Sequence, residues 1–148
     1  MRAEYVYIAS SWKNTFQPAV ISVIENAGID CYDFKHPEPL NDGFHWSNVL
    51  GKDYKPSIPY RTYITALGNS AAEEGFQRDF QAMQKASHFI LVLPCGKSAH
   101  LELGWAVGAG KKTCILTEEL VEPELMYNMV DVIFKDILDV LWWLGVQD

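Results

Sequence analysis

The feature that most constrains the fold is a continuous apolar run at residues 89–93, followed at once by residues typical of a turn. An apolar run of this length that contains Ile and Val is typical of a strand buried on both faces of a parallel sheet. After the turn, Ser98 is a candidate N-cap for a helix that ends at Gly108 or Gly110. The sequence therefore predicts a buried strand, a short turn and a helix in direct succession.

The predicted helix carries one acidic residue, Glu102, among side chains that are almost all apolar or small. A helix that is apolar on all sides is buried, and an ionised carboxylate is seldom buried without a partner. We therefore expect Glu102, in the first turn, to line a cavity and to act as a nucleophile. The alternative is that Glu102 only stabilises the helix N-terminus at the protein surface.

Length and composition indicate one ordinary globular domain, residues 1–148, with 49% hydrophobic and 21% charged residues. A net charge of -7 without a basic stripe argues against a nucleic-acid polymer as partner, although free nucleosides stay possible. Three cysteines without metal-ligand spacing predict a cytoplasmic, reducing environment and no metal site. No cofactor is expected. No apolar stretch is long and clean enough for a membrane span, so no membrane partner is expected.

Strand-like and helix-like segments alternate along the chain, which predicts a parallel sheet with helices on both faces. The expected fold class is α/β, a flavodoxin-like three-layer sandwich whose five-stranded parallel sheet has the order 2-1-3-4-5, with an irregular insert after strand 2. In that order the ligand crevice lies at the switch point between strands 1 and 3. The predicted strands are residues 4–10, 29–34, 89–93, 112–116 and 130–134.

Residues 35–65 interrupt this alternation with four prolines and many aromatic residues. A long irregular segment inside a compact domain is commonly a binding loop or lid, which would make Phe44, His45 and Trp46 candidate ligand contacts. The alternative is a short helix around His45 to Leu50 that caps the sheet edge.

A helix is predicted at residues 71–86, with Phe76, Phe80 and Met83 as its core stripe. Asp79 flanks that stripe, so it either lies at the protein surface or points into a cleft.

Several segments, covering nearly the whole chain, resemble the nucleoside 2-deoxyribosyltransferase family. The most specific is the Glu-Leu-Gly-Trp-Ala sequence that begins at Glu102, directly after the buried strand and its turn. The other matching segments are Tyr7 to Trp12, Gly75-Phe76 with Asp79 and Ala82-Met83, Gly96 to Leu101, and Pro123 to Tyr127.

The resemblance implies cleavage of the N-glycosidic bond of a nucleoside or nucleotide. Glu102 matches the residue that attacks the anomeric carbon and forms a glycosyl ester, Asp79 matches an acid that assists near the base or sugar, and Tyr7 matches the tyrosine that orients the nucleophile. A second base then takes the sugar, or water does so in hydrolytic relatives. The alternatives are hydrolysis of a nucleoside 5′-monophosphate and a non-catalytic nucleotide-binding module.

The remaining candidate substrate contacts flank these residues. Gly96 stands where deoxyribosyltransferases commonly carry an acid, so Ser98, Lys97 and the helix amides could instead hold a 5′-phosphate. Ser10 and Trp12 follow the first strand, and Trp12 could stack on the base. The resemblance further implies a homodimer or higher homo-oligomer in which Asn128 of a neighbouring subunit contacts the sugar; the alternative is that its segment is only a connecting helix.

Overall fold

The computed structural model describes residues 1–120 and 122–147, and its chain divides into two compact units. The first unit comprises Met1–Asp33 together with the chain from Lys85 onward, and the second is Phe34–Gln84. The predicted insert and most of the helix after it thus belong to the second unit. The assignment of residues 1–148 to a single domain stays a prediction.

The first unit contains the predicted sheet, and its strand order β2-β1-β3-β4-β5 confirms the flavodoxin-like topology. Every strand pair is parallel. The strands are β1 (Tyr5–Ala9), β2 (Asp30–Tyr32), β3 (His88–Val92), β4 (Lys112–Leu116) and β5 (Val132–Phe134).

The helices are placed in chain order, and two of them belong wholly to the second unit. In the first unit they are α1 (Gln17–Asn26), α5 (Lys97–Gly108), a 3-10 helix (Leu125–Met129) and α6 (Ile137–Trp143). The second unit holds α2 (Ser47–Leu50) and α3 (Tyr60–Leu67). It also holds α4 (Ser70–Lys85) except for the last residue, Lys85, which belongs to the first unit. A short helix near His45 to Leu50, which was the alternative to a binding loop, is present as α2. The helix α3 was not predicted.

Alternation of side chains along the strands gives the sheet two apolar faces. One face, with Val6, Ile8 and Ile90, packs in a single core with α1 and α6. The other face carries Tyr7 and Phe89 and lies against α5. The first unit therefore has three layers, as predicted.

The start of α5 differs from the prediction. Gly96 is the N-cap residue and the helix begins at Lys97, so Ser98 is not the cap. Glu102 consequently lies in the second turn, not in the first, and does not cap the helix. Leu101 is 76% exposed, so the expectation that this helix is buried on all sides is wrong for its outward face.

The core stripe of α4 also differs from the prediction. Phe76 is 60% exposed, and the buried residues are the smaller Ala72, Gly75, Ala82 and Met83. Asp79 lies between them in the helical repeat and is half-buried. The buried stripe therefore differs from the predicted one, because small side chains allow close packing but give a weak apolar pattern in the sequence.

Two features are absent from the residues that the structure describes. Within residues 1–120 and 122–147, no helix has both the length and the apolar character needed to cross a membrane. The same residues contain no cluster of His, Cys, Asp and Glu side chains that could bind a metal ion.

Candidate active site

The centre of the candidate site is a hydrogen bond between two predicted catalytic residues that lie 95 positions apart in the sequence. The Tyr7 hydroxyl donates to Oε2 of Glu102 over 2.8 Å. Tyr7 is buried on β1 and Glu102 is half-buried on α5. The bond fixes one carboxylate oxygen, and the parallel sheet brings the two residues together because α5 packs across β1 and β3.

The Tyr7 ring is held between two other rings on neighbouring strands. It stacks on Tyr32 with ring centroids 5.4 Å apart and on Phe89 with centroids 4.9 Å apart. The register places the three residues side by side across β2, β1 and β3. We call this set the ring row; it leaves the Tyr7 hydroxyl little freedom to turn away from Glu102.

The thiol of Cys95 lies close enough to Glu102 for the negative charge of Glu102 to affect its pKa. Burial raises the pKa of the Cys95 thiol to about 12, and the negative charge of Glu102 contributes to that rise. Such a thiol stays protonated at neutral pH and is a poor nucleophile. Cys95 is therefore a neutral neighbour of the carboxylate.

Asn14 ties together the two loops at the switch point. Its Nδ2 donates to the carbonyl oxygens of Val92 and Pro94, over 3.2 and 3.0 Å. Its Oδ1 accepts from the amides of Phe16 and Gln17 and so caps α1. Because Asn14 is only 4% exposed, these bonds are shielded from water.

Ser10 joins the same connection. Its hydroxyl donates to the Val92 carbonyl oxygen over 2.9 Å, so a ligand at Ser10 would meet an oxygen whose proton is already directed into the protein. Trp12, two residues further on, is 40% exposed.

His100 links the start of α5 to the 3-10 helix. Its Nδ1 lies 2.7 Å from the Gly96 carbonyl oxygen and its Nε2 lies 2.7 Å from the Tyr127 hydroxyl. Because a carbonyl oxygen only accepts, the neutral ring carries its proton on Nδ1 and accepts the Tyr127 proton at Nε2. Gly96, a predicted substrate contact, is thus already bonded through its carbonyl group to His100.

An open groove of about 1160 Å³ runs along the outward face of α5. Its lining is mostly apolar and includes Leu101, Met126 and Met129, with Glu119 and Glu124 among its acidic members. Glu102 does not line this groove, whereas Cys95 and Gly96 do. The predicted contacts Ser98 and Asn128 are both exposed and also lie outside its lining.

The other predicted site residues belong to the second unit. Phe44, His45, Trp46 and Asp79 are all half-buried there. Phe44 and Trp46 contact edge to face, with ring centroids 5.0 Å apart. The His45 Nε2 atom lies 3.2 Å from the Asp42 carbonyl oxygen.

Three residues that bear on the site were not among the predicted site residues: Asn14, Cys95 and Gly75. Asn14 was identifiable in the sequence only as a helix cap, and Cys95 only as an unpaired thiol. Gly75 stood in the family motif without a role. For Asn14 and Gly75 the missing signal is a contact with a residue far away in the sequence, and for Cys95 it is the proximity of Glu102 on α5.

A five-stranded parallel sheet of order 2-1-3-4-5, with a phenol-bound carboxylate on the helix after its central strand, defines a flavodoxin-like α/β protein with a candidate acid site. No protein-family model matches the sequence, and no curated protein matches it significantly.

Solved structures do match over nearly the whole chain. A 2-deoxyribosyltransferase from Bacillus psychrosaccharolyticus has a TM-score of 0.58 at 16% identity, covering 93% of this chain and 90% of that chain. The CMP N-glycosidase BcmB from Clostridium botulinum has a TM-score of 0.54 at 16% identity, covering 96% and 99%. A conserved protein from Enterococcus faecalis has a TM-score of 0.59 at 11% identity, covering 96% and 97%. The fold of this chain is therefore similar to that of these proteins, as the sequence motifs indicated.

Proposed function

We propose that this protein is an enzyme that cleaves the N-glycosidic bond of a nucleoside or nucleotide through a glycosyl-Glu102 intermediate and transfers the sugar to another nucleobase. The observation that carries the proposal is the 2.8 Å bond from Tyr7 to Glu102 on the helix that carries the family motif. The similarity in fold to a 2-deoxyribosyltransferase and to a CMP N-glycosidase also supports an N-glycosidic bond as the bond that is cleaved.

The first step is a displacement at the anomeric carbon. The Glu102 carboxylate forms an ester bond to that carbon while the carbon–nitrogen bond breaks and its electron pair leaves with the base. Tyr7 orients the carboxylate through its bond to Oε2. The departing base takes a proton or a hydrogen bond at its ring nitrogen, and we assign this assistance to Asp79.

The second step reverses the first with another acceptor. A ring nitrogen of a second base attacks the anomeric carbon, its proton passes to Asp79, and the ester bond breaks to release the Glu102 carboxylate. With water as acceptor the product is free sugar or sugar phosphate. Phe44, Trp46 and Trp12 are the aromatic side chains that we assign to stacking on the base.

Hydrolysis of a nucleoside 5′-monophosphate is the second candidate reaction. The similarity in fold to a CMP N-glycosidase favours it, as does the exposure of Gly96, Lys97 and Ser98 at the start of a 12-residue helix. Incubating a labelled nucleoside or its monophosphate with a second base separates the two reactions. Exchanged nucleoside indicates transfer, and free sugar phosphate indicates hydrolysis.

Replacement of Glu102 by Gln tests the nucleophile. We expect base release to fall by about 10³-fold or more, since the amide cannot form the ester. Glu25→Gln, which changes an exposed acid on α1, is the matched control. Mass spectrometry of the wild-type protein mixed with substrate should detect a sugar adduct on Glu102. Wild-type turnover by the Glu102→Gln protein would refute the assignment.

A nucleotide-binding module without catalysis makes a different prediction. Nucleotides would then raise the melting temperature of the protein, while no base is released at enzyme concentrations equal to those of substrate. Release of base in that single-turnover experiment excludes the module.

We also propose that the outward face of α5 is the interface of a homodimer, which would bring Asn128 to the partner's sugar pocket. Leu101 and Leu125 are 76% and 79% exposed beside the apolar groove. An apolar surface of this kind commonly marks an association site.

The test of the interface is Leu101→Glu, with Leu138→Glu as the matched control because Leu138 is an exposed leucine on α6. Light scattering should show a dimer for the wild type and the control, and a monomer for Leu101→Glu. A monomeric wild type would overturn the proposed interface and leave the Glu102 assignment in place.

A further inference from the structure

Gly75 is a buried glycine inside a regular helix, where glycine is about 1 kcal/mol less favourable than alanine. A Cβ atom at this position would lie 3.0 Å from Cβ, 3.1 Å from Cγ and 3.2 Å from Cδ1 of Phe44. Carbon atoms pack best at about 3.5–4.0 Å. Phe44 therefore lies directly on the helix backbone, and any side chain at position 75 would push it away.

The position of Phe44 also determines that of two other aromatic residues. Its ring contacts Trp46 edge to face at 5.0 Å, and Trp46 lies 6.2 Å from the ring of Tyr63 on α3. We call Phe44, Trp46 and Tyr63 the aromatic cluster. Through Gly75, the cluster is positioned on α4.

Asp79 lies one helical turn after Gly75 on the same face of α4. Side chains of a helix tilt toward its N-terminus, so the Asp79 carboxyl group is directed toward the turn that contains Gly75. The Phe44 ring lies on that turn. Helix geometry therefore places a carboxyl group beside the turn on which the aromatic ring lies.

We propose that Gly75 is a specificity-determining residue, because the absence of a side chain there lets Phe44 and Asp79 adjoin to form a nucleobase-recognition surface. The ring offers a stacking face, and a carboxyl group in the acid form that the proposed step requires donates through one oxygen and accepts through the other. The surface therefore favours bases whose edge presents an exocyclic amino group beside a ring nitrogen. This inference rests on the proposed function and deepens it.

The first variant is Gly75→Ala, with Gly108→Ala as the matched control, because a Cβ at Gly108 meets nothing within 4 Å. Stacking of one base on an aromatic side chain contributes about 1–3 kcal/mol, so displacement of Phe44 should raise KM by about tenfold or more. The kcat should change by less than about twofold, since Gly75 does not touch the reacting atoms. The preference for amino-bearing bases, measured as a ratio of kcat/KM values, should fall. The control should keep the wild-type KM and base preference.

A double-mutant cycle with Phe44→Ala identifies the cause. This change removes the ring and with it two of the three close contacts. If Gly75 acts by positioning Phe44, then Gly75→Ala should raise KM little further in the Phe44→Ala background. It should also lower the melting temperature of the wild type by more than that of the Phe44→Ala protein, in which only the contact with the Cβ atom of residue 44 is left. If Gly75→Ala alone does not fold, recovery of folding in the double variant supports the same conclusion.

Two outcomes overturn the inference. One is an unchanged KM and base preference in Gly75→Ala, and the other is an equal effect of Gly75→Ala with and without the Phe44 ring. Failure of the proposed function is read separately, because the wild type would then release no base from any nucleoside or nucleotide. In that case the proposed role in base recognition fails together with the proposed function. The melting temperatures would still report the contact between Phe44 and Gly75.

Discussion

At the scale of single residues, the Tyr7 hydroxyl is the group whose loss is easiest to interpret. Tyr7→Phe keeps the ring between Tyr32 and Phe89 and deletes the hydroxyl that donates to Glu102. We expect kcat for base release to fall by about tenfold or more, since a hydrogen bond to a charged group contributes about 1.5–3 kcal/mol. Tyr5→Phe on the same strand is the control. Equal kcat values for the two variants would show that Tyr7 does not orient the nucleophile.

The reactivity of Cys95 reports the charge of its neighbour. Its pKa is raised to about 12 by burial and by Glu102, so removing that negative charge should lower the pKa and increase the thiolate fraction. Glu102→Gln should therefore accelerate alkylation of Cys95 by iodoacetamide at pH 8.5, measured by peptide mass spectrometry.

Cys31 provides the internal control for that experiment. Its pKa is also raised to about 12, by burial and by the charges of Glu25, Asp33 and Asp30, without a contribution from Glu102. Its alkylation rate should be the same in both proteins. An unchanged rate at Cys95 would contradict the proximity of the thiol to Glu102.

At the scale of elements, Asn14 connects the start of α1 to the end of β3. Asn14→Ala should lower the free energy of unfolding by about 3 kcal/mol, because the Val92 and Pro94 carbonyl oxygens each lose one donor and the amides of Phe16 and Gln17 lose their acceptor. Asn14→Asp keeps the cap acceptor but places a carboxylate against the carbonyl oxygens of Val92 and Pro94, so it should destabilise at least as much. Urea denaturation measures both.

The control for Asn14 is Asn69→Ala, which removes one exposed bond to the Ala71 amide. It should cost about 1 kcal/mol or less. If Asn14→Asp were as stable as the wild type, the bonds to the two carbonyl groups would contribute nothing.

Elements with a strong local signal were predictable, and those that depend on distant contacts were not. The apolar run that became β3 and the sequence of β4 are local signals, and the structure confirms both of them. The predictions for the N-cap of α5 and the stripe of α4 were wrong because serine ranks above glycine as an N-cap and small side chains give a weak apolar pattern. The connecting helix predicted around Asn128 is only a five-residue 3-10 helix, Leu125–Met129.

At the scale of the whole molecule, His88 makes stability depend on pH. Its ring is buried and contacts Trp143 of α6 edge to face at 5.0 Å. Burial lowers its pKa and the Lys112 charge lowers it further, while Asp131 opposes them. The folded state therefore binds fewer protons than the unfolded state, and the free energy of unfolding should fall as the pH drops below the ordinary histidine value of about 6.5.

Replacement of His88 by Gln removes the titrating group. The loss of unfolding free energy between pH 7.5 and pH 5.5 should then be smaller than in the wild type, as measured by urea denaturation at each pH. Identical losses in the two proteins would show that His88 does not carry this dependence.

The sequence predicted which residues belong to the candidate site, but it did not predict the contacts that hold them in place. The solitary acid in an apolar helix and the family motif indicated Glu102 and Tyr7, and the parallel sheet accounts for their contact. The bond from Asn14 to Pro94 spans 80 positions, and the Phe44 contact with Gly75 joins an irregular segment to a helix. Such tertiary contacts leave no periodic pattern in a single sequence.

The ring row has a kinetic consequence. Because Tyr7 is clamped on the central strands and Glu102 sits in a regular helix, the phenol and the carboxylate are aligned in the unliganded protein. The entropy of aligning them is lost once, during folding, rather than at every encounter with a ligand. In the proposed reaction, turnover would therefore not wait for these two groups to rearrange.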